Sequence, residues 1–125
     1  MEDRNRYKIH DNGSLGEVQI ADEVVAIIAG LAATEVEGVG SMAGNITNEL
    51  VGKLGMKVLS KGVKVDVLED VVYVDIALNI EYGFNILKTS KKVQERVKAA
   101  IENMTGLTVS DVNVRIASVE IEKTK

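Results

Sequence analysis

Residues 62–83, GVKVDVLEDVVYVDIALNIEYG, alternate between apolar and polar side chains with a period of two. This alternation predicts a β-hairpin whose strands face each other across Glu69 and Asp70. In that register one face is wholly apolar, whereas a slip of one residue would mix the two faces. The predicted apolar pairs are Val67 with Val72, Val65 with Val74, and Val63 with Ile76.

The opposite face of this hairpin is polar, with Lys64 across from Asp75 and Asp66 across from Tyr73. The apolar face requires a cover, so the polar face is expected to point to solvent, where a partner could bind it. We predict that six side chains form this outward row. They are Lys64, Asp66, Tyr73, Asp75, Asn79 and Glu81.

Two helices are predicted before the hairpin, and a short strand over residues 17–20 precedes them. The first, over residues 21–35, has Val24, Ile27, Ile28 and Leu31 at helical spacing. Its second stripe of small residues is expected to pack on the sheet, with a contact to a helix of another subunit as the alternative; the stripe comprises Ala26, Gly30 and Ala33.

The second helix is predicted over residues 45–59 and is expected to be broken or mobile. Each of Gly52 and Gly55 costs roughly 1 kcal/mol relative to Ala in a helix interior. The apolar face of this segment comprises Ile46, Leu50, Val51 and Leu54.

A long helix follows the hairpin, over residues 86–104, with Asn85 as its N-cap and Gly106 at the left-handed stop. The last strand is predicted over residues 108–122, with a bulge or bend near Ala117 and Ser118 because the apolar phase changes there. The inward face of the long helix is expected to comprise Val93, Val97, Ala100, Ile101 and Met104.

These elements predict an α+β fold: a two-layer sandwich with a mostly antiparallel sheet and helices on one face. Residues 1–15 are polar and are expected to form a flexible N-terminal arm, with a single domain over residues 16–122. A chain of 125 residues with 46% hydrophobic content is long enough for one core and too short for two.

Composition and charge reduce the number of functional classes that fit this sequence. The net charge of -4 and the 3% aromatic content argue against a dedicated nucleic-acid binder. With no cysteine and His10 as the single histidine, no metal site, catalytic residue or cofactor site is predicted, so we expect a protein that is not an enzyme. The charged N-terminus does not resemble a secretion signal, and no run is long enough to span a membrane.

Two segments remain as candidate binding surfaces. Lys88, Lys91, Lys92 and Arg96 lie on the outward arc of the long helix. A solvated face is the simplest interpretation of this arc, and a footprint for an acidic partner or for anionic lipid head groups is the functional one.

The other segment, residues 51–58, matches the apolar-GxxG-xx-apolar pattern of K-homology RNA-binding domains. In those domains the GxxG loop clamps the nucleic-acid backbone. RNA binding is therefore an alternative function, which the acidic balance disfavours. The residues that would carry it are Gly52, Lys53, Leu54 and Gly55.

Residues 16–121 as a whole resemble the alkaline shock protein family of Gram-positive bacteria, which includes general stress and envelope stress proteins. The resemblance rests on the order and spacing of short segments along the chain. They are residues 16–20, 22–25, 37–39, 60–65, 82–83, 93–97, 104–107 and 112–114.

This resemblance implies a cytoplasmic protein that supports cell-envelope homeostasis, with some relatives held at the membrane by an anchored partner and others linked to lipid metabolism. It implies no catalytic residue. We therefore expect a scaffold or adaptor at the inner face of the membrane, working through a protein partner and self-association, without a small-molecule substrate.

Overall fold

The computed structural model describes residues 6–7, 18–44, 46 and 48–121. Two helices pack on one face of a four-stranded sheet, which confirms the predicted two-layer α+β class. Two very short strands, β1 (Arg6–Tyr7) and β2 (Val18–Gln19), pair antiparallel as a separate ribbon. The expected arm over residues 1–15 lies almost entirely outside the described residues, so the domain division stays a prediction.

The hairpin consists of β4 (Val63–Leu68) and β5 (Val71–Glu81), and every predicted cross-strand pair is confirmed. Glu69 begins the two-residue turn with a φ of 61°. This left-handed conformation suits the twist of a tight hairpin, although Glu adopts it less readily than Asn or Gly. The alternating pattern was thus sufficient to predict the register, because only this register places the three predicted apolar pairs together on the helix side.

The long strand β5 is the centre of the sheet. On one side β5 pairs antiparallel with two strands in succession. Its first half pairs with β4, and its second half pairs with β3 (Val39–Met42). On its other side lies β6 (Thr108–Glu120), which runs parallel to β5. The predicted bulge is confirmed, because the register shifts so that Ile116 faces Leu78 and Ser118 faces Asn79, which leaves Ala117 unpaired.

Helix α1 (Asp22–Thr34) matches its predicted span, and its stripe of small residues packs within the domain, as expected. Val24 is exposed, and the other large aliphatic residues of its stripe are only partly buried. The stripe of small residues is the fully buried one, because a Cβ at Gly30 would lie 2.8 Å from the carbonyl oxygen of Leu59. The small side chains therefore serve close packing within the domain.

The second predicted helix is broken, as expected. Helix α2 (Asn48–Leu54) ends before Gly55, which has a φ of 92°, and a 3₁₀ helix (Met56–Gly62) follows. Ile46 was wrongly placed in this helix: it forms an isolated antiparallel bridge with Met42 and is buried. Its backbone N–H and C=O are satisfied by Met42, which removes them from helical bonding.

Helix α3 (Ile86–Thr105) is capped as predicted at both ends. The Oδ1 atom of Asn85 accepts from the Lys88 N–H at 2.9 Å, and Gly106 is left-handed with a φ of 80°. The buried positions are Thr89, Val93, Val97 and Ile101. Met104 is exposed, contrary to the prediction, because this spacing of four residues continues to Thr105 and not to Met104.

Candidate interaction surfaces

The outward face of the hairpin displays the predicted polar row over most of its length. Lys64 and Asp66 of β4 are exposed, as are Tyr73 and Asp75 of β5. The row also extends onto β6, where the side-chain amide of Asn113 donates to Asp75 Oδ1 at 2.9 Å. The α1 and α3 helices lie on the other side of the sheet, so this face is open to solvent in the described part of the chain.

Asn79 is an exception to the predicted row, because its side chain is only 4% exposed. Its Nδ2 donates to Ser41 Oγ at 2.9 Å and to the Met42 carbonyl at 3.4 Å, while its Oδ1 accepts from Ser118 Oγ at 2.9 Å. Ser41 Oγ in turn donates to Glu120 Oε2 at 2.6 Å. Three strands thus meet in one polar cluster, whose hydrogen bonds offset the cost of burying Asn79.

The glycine at position 40 makes room for this cluster. A Cβ there would lie 2.8 Å from Glu120 Cδ and closer still to its Oε1 atom. The Glu120 carboxylate can therefore reach Ser41 only because position 40 carries no side chain. These hydrogen bonds join β3 and β6 to the central strand β5, and we assign the cluster a structural role.

The predicted basic arc divides into two parts in the structure. Lys88, Lys91 and Lys92 are exposed, and no side-chain ion pair joins any of them to another residue of the described part of the chain. Arg96 instead faces α1, with its Nη1 3.7 Å from Glu35 Oε1. The free positive charge is therefore concentrated in the first two turns of α3.

An open groove of about 470 Å³ lies between the end of α1 and the middle of α3. Both signs of charge line it, so it presents no uniform field to an anionic or a cationic ligand. Its lining residues are Glu35, Val36, Glu37, Lys92, Glu95 and Arg96.

The GxxG segment lies on an exposed surface, but not in a loop. Gly52, Lys53 and Leu54 form the last turn of α2, and Gly55 follows with its left-handed backbone. Three of the four residues thus have helical backbone where the K-homology pattern requires a loop.

One end of the sandwich carries an apolar surface that the sequence interpretation missed. Here β5 ends, α3 begins, and the Tyr82 N–H donates to the Glu120 carbonyl at 2.8 Å, which brings the end of β6 alongside. We call this surface the apolar tip. Its exposed members are Tyr82, Phe84, Ile86, Leu87, Val119 and Ile121.

The signal for the tip was present in residues 82–87, YGFNIL, where four of six side chains are large and apolar in a connection that ought to be polar. The predicted elements hid it, because Tyr82 was assigned to the end of the hairpin and Ile86 and Leu87 to the start of a helix. Exposure distinguishes these residues from core: Tyr82 is 71% exposed and Leu87 is 80% exposed.

Side chains of α3 also protect the first half of the free β6 edge. Glu102 Oε2 accepts from the Val109 N–H at 2.9 Å, and Gln94 Nε2 donates to the Val112 carbonyl at 3.0 Å. The hydrogen bond from Val109 and the contact with Lys98 Nζ lower the pKa of Glu102 below its ordinary value of 4.5. The charged carboxylate is therefore the form that stabilises the fold.

Replacing Glu102 with Gln is expected to lower the free energy of unfolding at neutral pH. Because folding lowers this pKa, the stabilisation is present above the unfolded value of 4.5 and is lost as the pH falls through the lower pKa of the folded chain. Urea unfolding at neutral and acidic pH should show the difference from the parent shrinking with acid. Glu95→Gln, at an exposed position of the same helix, is the control; an equal effect of both variants would contradict the prediction.

The part of the chain that the structure describes contains no cluster of three or more residues able to hold a metal ion. His10 lies outside the described residues. No helix among them is long and apolar enough to cross a membrane.

Comparison with known proteins identifies the family of this chain. Residues 10–121 match the profile of the alkaline shock protein family, described as having a cell envelope-related function. YqhY of Bacillus subtilis is 37% identical over 98% of this chain and 91% of its own length. Spy1614 of Streptococcus pyogenes is 34% identical over 85% of this chain and 89% of its own.

A third relative, from Streptococcus pyogenes, is named as a homologue of the stress response regulator gls24. It is 28% identical over 96% of this chain and 68% of its own length. The resemblance predicted from short segments of the sequence is thus confirmed by matches over most of the chain. This protein belongs to the alkaline shock protein family, whose function is related to the cell envelope.

Proposed function

We propose that this protein is a non-enzymatic scaffold or adaptor in cell-envelope homeostasis and the stress response. It acts at the inner face of the cytoplasmic membrane through contacts with a protein partner that is itself membrane-anchored. It also self-associates, uses no small-molecule substrate, and has a link to lipid metabolism. The envelope-related function of the family and the stress-related name of one relative support this assignment.

The observation that carries the proposal is the open outward face of the hairpin. Lys64, Asp66, Tyr73 and Asp75 are exposed in a fixed cross-strand register. The backbone of a paired sheet is already ordered before binding, and the alternating charges on it favour one orientation of a partner. Tyr73 supplies an aromatic anchor of the kind that is enriched in protein interfaces.

Exchanging the charges at Lys64 and Asp75, as Lys64→Glu with Asp75→Lys, is expected to preserve folding because both side chains are exposed. The net charge is unchanged, but a partner matched to the parent pattern would meet like charges. Partner binding should weaken by about tenfold or more. The effect is measured by comparing the proteins, lipids and RNA that the parent and the variant each retain from extracts of the host cell.

The matched control exchanges another exposed pair away from the hairpin, Lys57→Glu with Glu23→Lys, and should retain the parent's partners. Proteins retained by the parent and by this control, and lost from the hairpin variant, support the proposal. Recovery of RNA alone would overturn it and favour the alternative at Gly52–Gly55, which no structural observation supports.

A further inference from the structure

We propose that the apolar tip and the three lysines beside it form a docking surface for anionic phospholipid membranes. The inference rests on the proposed role at the membrane and supplies a direct contact that does not involve a protein partner. The arrangement consists of exposed apolar side chains at one end of the domain, followed at once by three lysines that have no ion pair within the described part of the chain.

The side chains of the tip are exposed to solvent. Tyr82 and Leu87 have more than two thirds of their surface open to solvent, and Ile86 has 43%. Phe84 is 37% exposed and is held on the backbone of Gly38, where a Cβ would lie 2.8 Å from Phe84 Cδ2. Large apolar side chains gathered at one end of a domain are costly to leave in water, and such a surface marks an interaction site.

The positive charge beside the apolar tip indicates which kind of surface would bind there. Between residues 81 and 92 three lysines stand against one acid, Glu81, although the whole chain has a net charge of -4. Lys88, Lys91 and Lys92 have no ion-pair partner among the described residues. The positive charge beside the tip therefore suits an anionic surface, and the apolar side chains next to it distinguish this end of the domain from other basic positions such as Lys53, Lys57 and Lys61.

Side-chain chemistry favours a lipid surface over a second copy of the chain. Tyr82 combines an apolar ring with a polar hydroxyl, which suits the boundary between head groups and acyl chains. Leu87 and Ile86 can enter the acyl region while the lysines one turn further along α3 reach phosphate groups. Two copies meeting tip to tip would bring two sets of three exposed lysines together, which like-charge repulsion disfavours.

The test is sedimentation of the purified full chain with vesicles of phosphatidylcholine containing phosphatidylglycerol, compared with phosphatidylcholine alone. The parent is expected to bind the anionic vesicles, with affinity falling as salt is raised. Replacing Lys88, Lys91 and Lys92 together with Gln should reduce this affinity about 100-fold. Leu87→Gln should reduce it at unchanged salt dependence, because it removes apolar insertion and no charge.

The matched control replaces Lys53, Lys57 and Lys61 with Gln, which removes the same charge from an exposed region away from the tip. It should retain binding, and thermal unfolding should show that all variants fold. The proposal is overturned if the parent does not bind anionic vesicles, or if both lysine triples lose affinity equally. It is also overturned if the tip retains an acidic apolar peptide but no vesicles.

Because this assay contains no other protein, its outcome is independent of the hairpin exchange. If the parent fails to bind vesicles but the hairpin exchange alters partner binding, only the lipid-docking proposal is refuted. If the parent binds vesicles but the hairpin exchange leaves partner binding unchanged, only the scaffold proposal is refuted.

Discussion

Replacing Ile101 with Ala is expected to lower the free energy of unfolding by about 2–5 kcal/mol. Ile101 is fully buried in the core, where α3 packs over the sheet and beside α1. Removing its side chain loses apolar burial and leaves a cavity that rigid neighbours fill only in part. Urea unfolding followed by circular dichroism measures the change.

Met104→Ala is the matched control, since both residues belong to the last turns of α3 and both were predicted to face inward. Met104 is 70% exposed, so its truncation should change stability by no more than about 0.5 kcal/mol. Equal losses at the two positions would contradict the placement of α3, because they would require Met104 to be buried as well.

Replacing Gly30 with Ala is expected to destabilise the protein by about 1–3 kcal/mol, although Ala is the better helix former. The added methyl group would lie 2.8 Å from the Leu59 carbonyl oxygen and 3.1 Å from its Cβ. The nearer atom is backbone, so α1 and the 3₁₀ helix would have to move apart. Thermal or urea unfolding gives the sign and size of the effect.

Gly52→Ala provides the opposite expectation at a second helical glycine. Nothing lies within 4 Å of a Cβ built at Gly52, and this position is exposed. The substitution should therefore stabilise the protein by up to about 1 kcal/mol through helix propensity alone. If both glycine variants were stabilised alike, the close contact between α1 and Leu59 would be refuted.

Much of the fold could be predicted because its signals are local. The hairpin register follows from a period of two over twenty-two residues, and every predicted pair is present. The caps of α3 involve residues adjacent in sequence, as do the break at Gly55 and the unpaired residue at Ala117. In each case the residues that determine the geometry lie within a few positions of one another.

The candidate surfaces were predicted less completely, because exposure depends on distant neighbours. Asn79 continues the alternation of the outward row, yet Ser41 and Ser118 enclose it from two other strands. Arg96 continues the basic arc, yet it faces Glu35 of α1. Periodicity alone places a side chain on a face without saying what lies beside it.

The sequence by itself determined the family, the α+β class, the hairpin register and the ends of α3, since short-range patterns specify each of them. Only the tertiary structure decided that Gly30 of α1 packs against Leu59, that Val24 of the same helix stays exposed, and that the tip at Tyr82–Leu87 is exposed. The physical reason is that burial depends on which elements pack together: β6 meets β5, and α3 meets α1, at positions remote in sequence, and those contacts determine which apolar side chains remain in water.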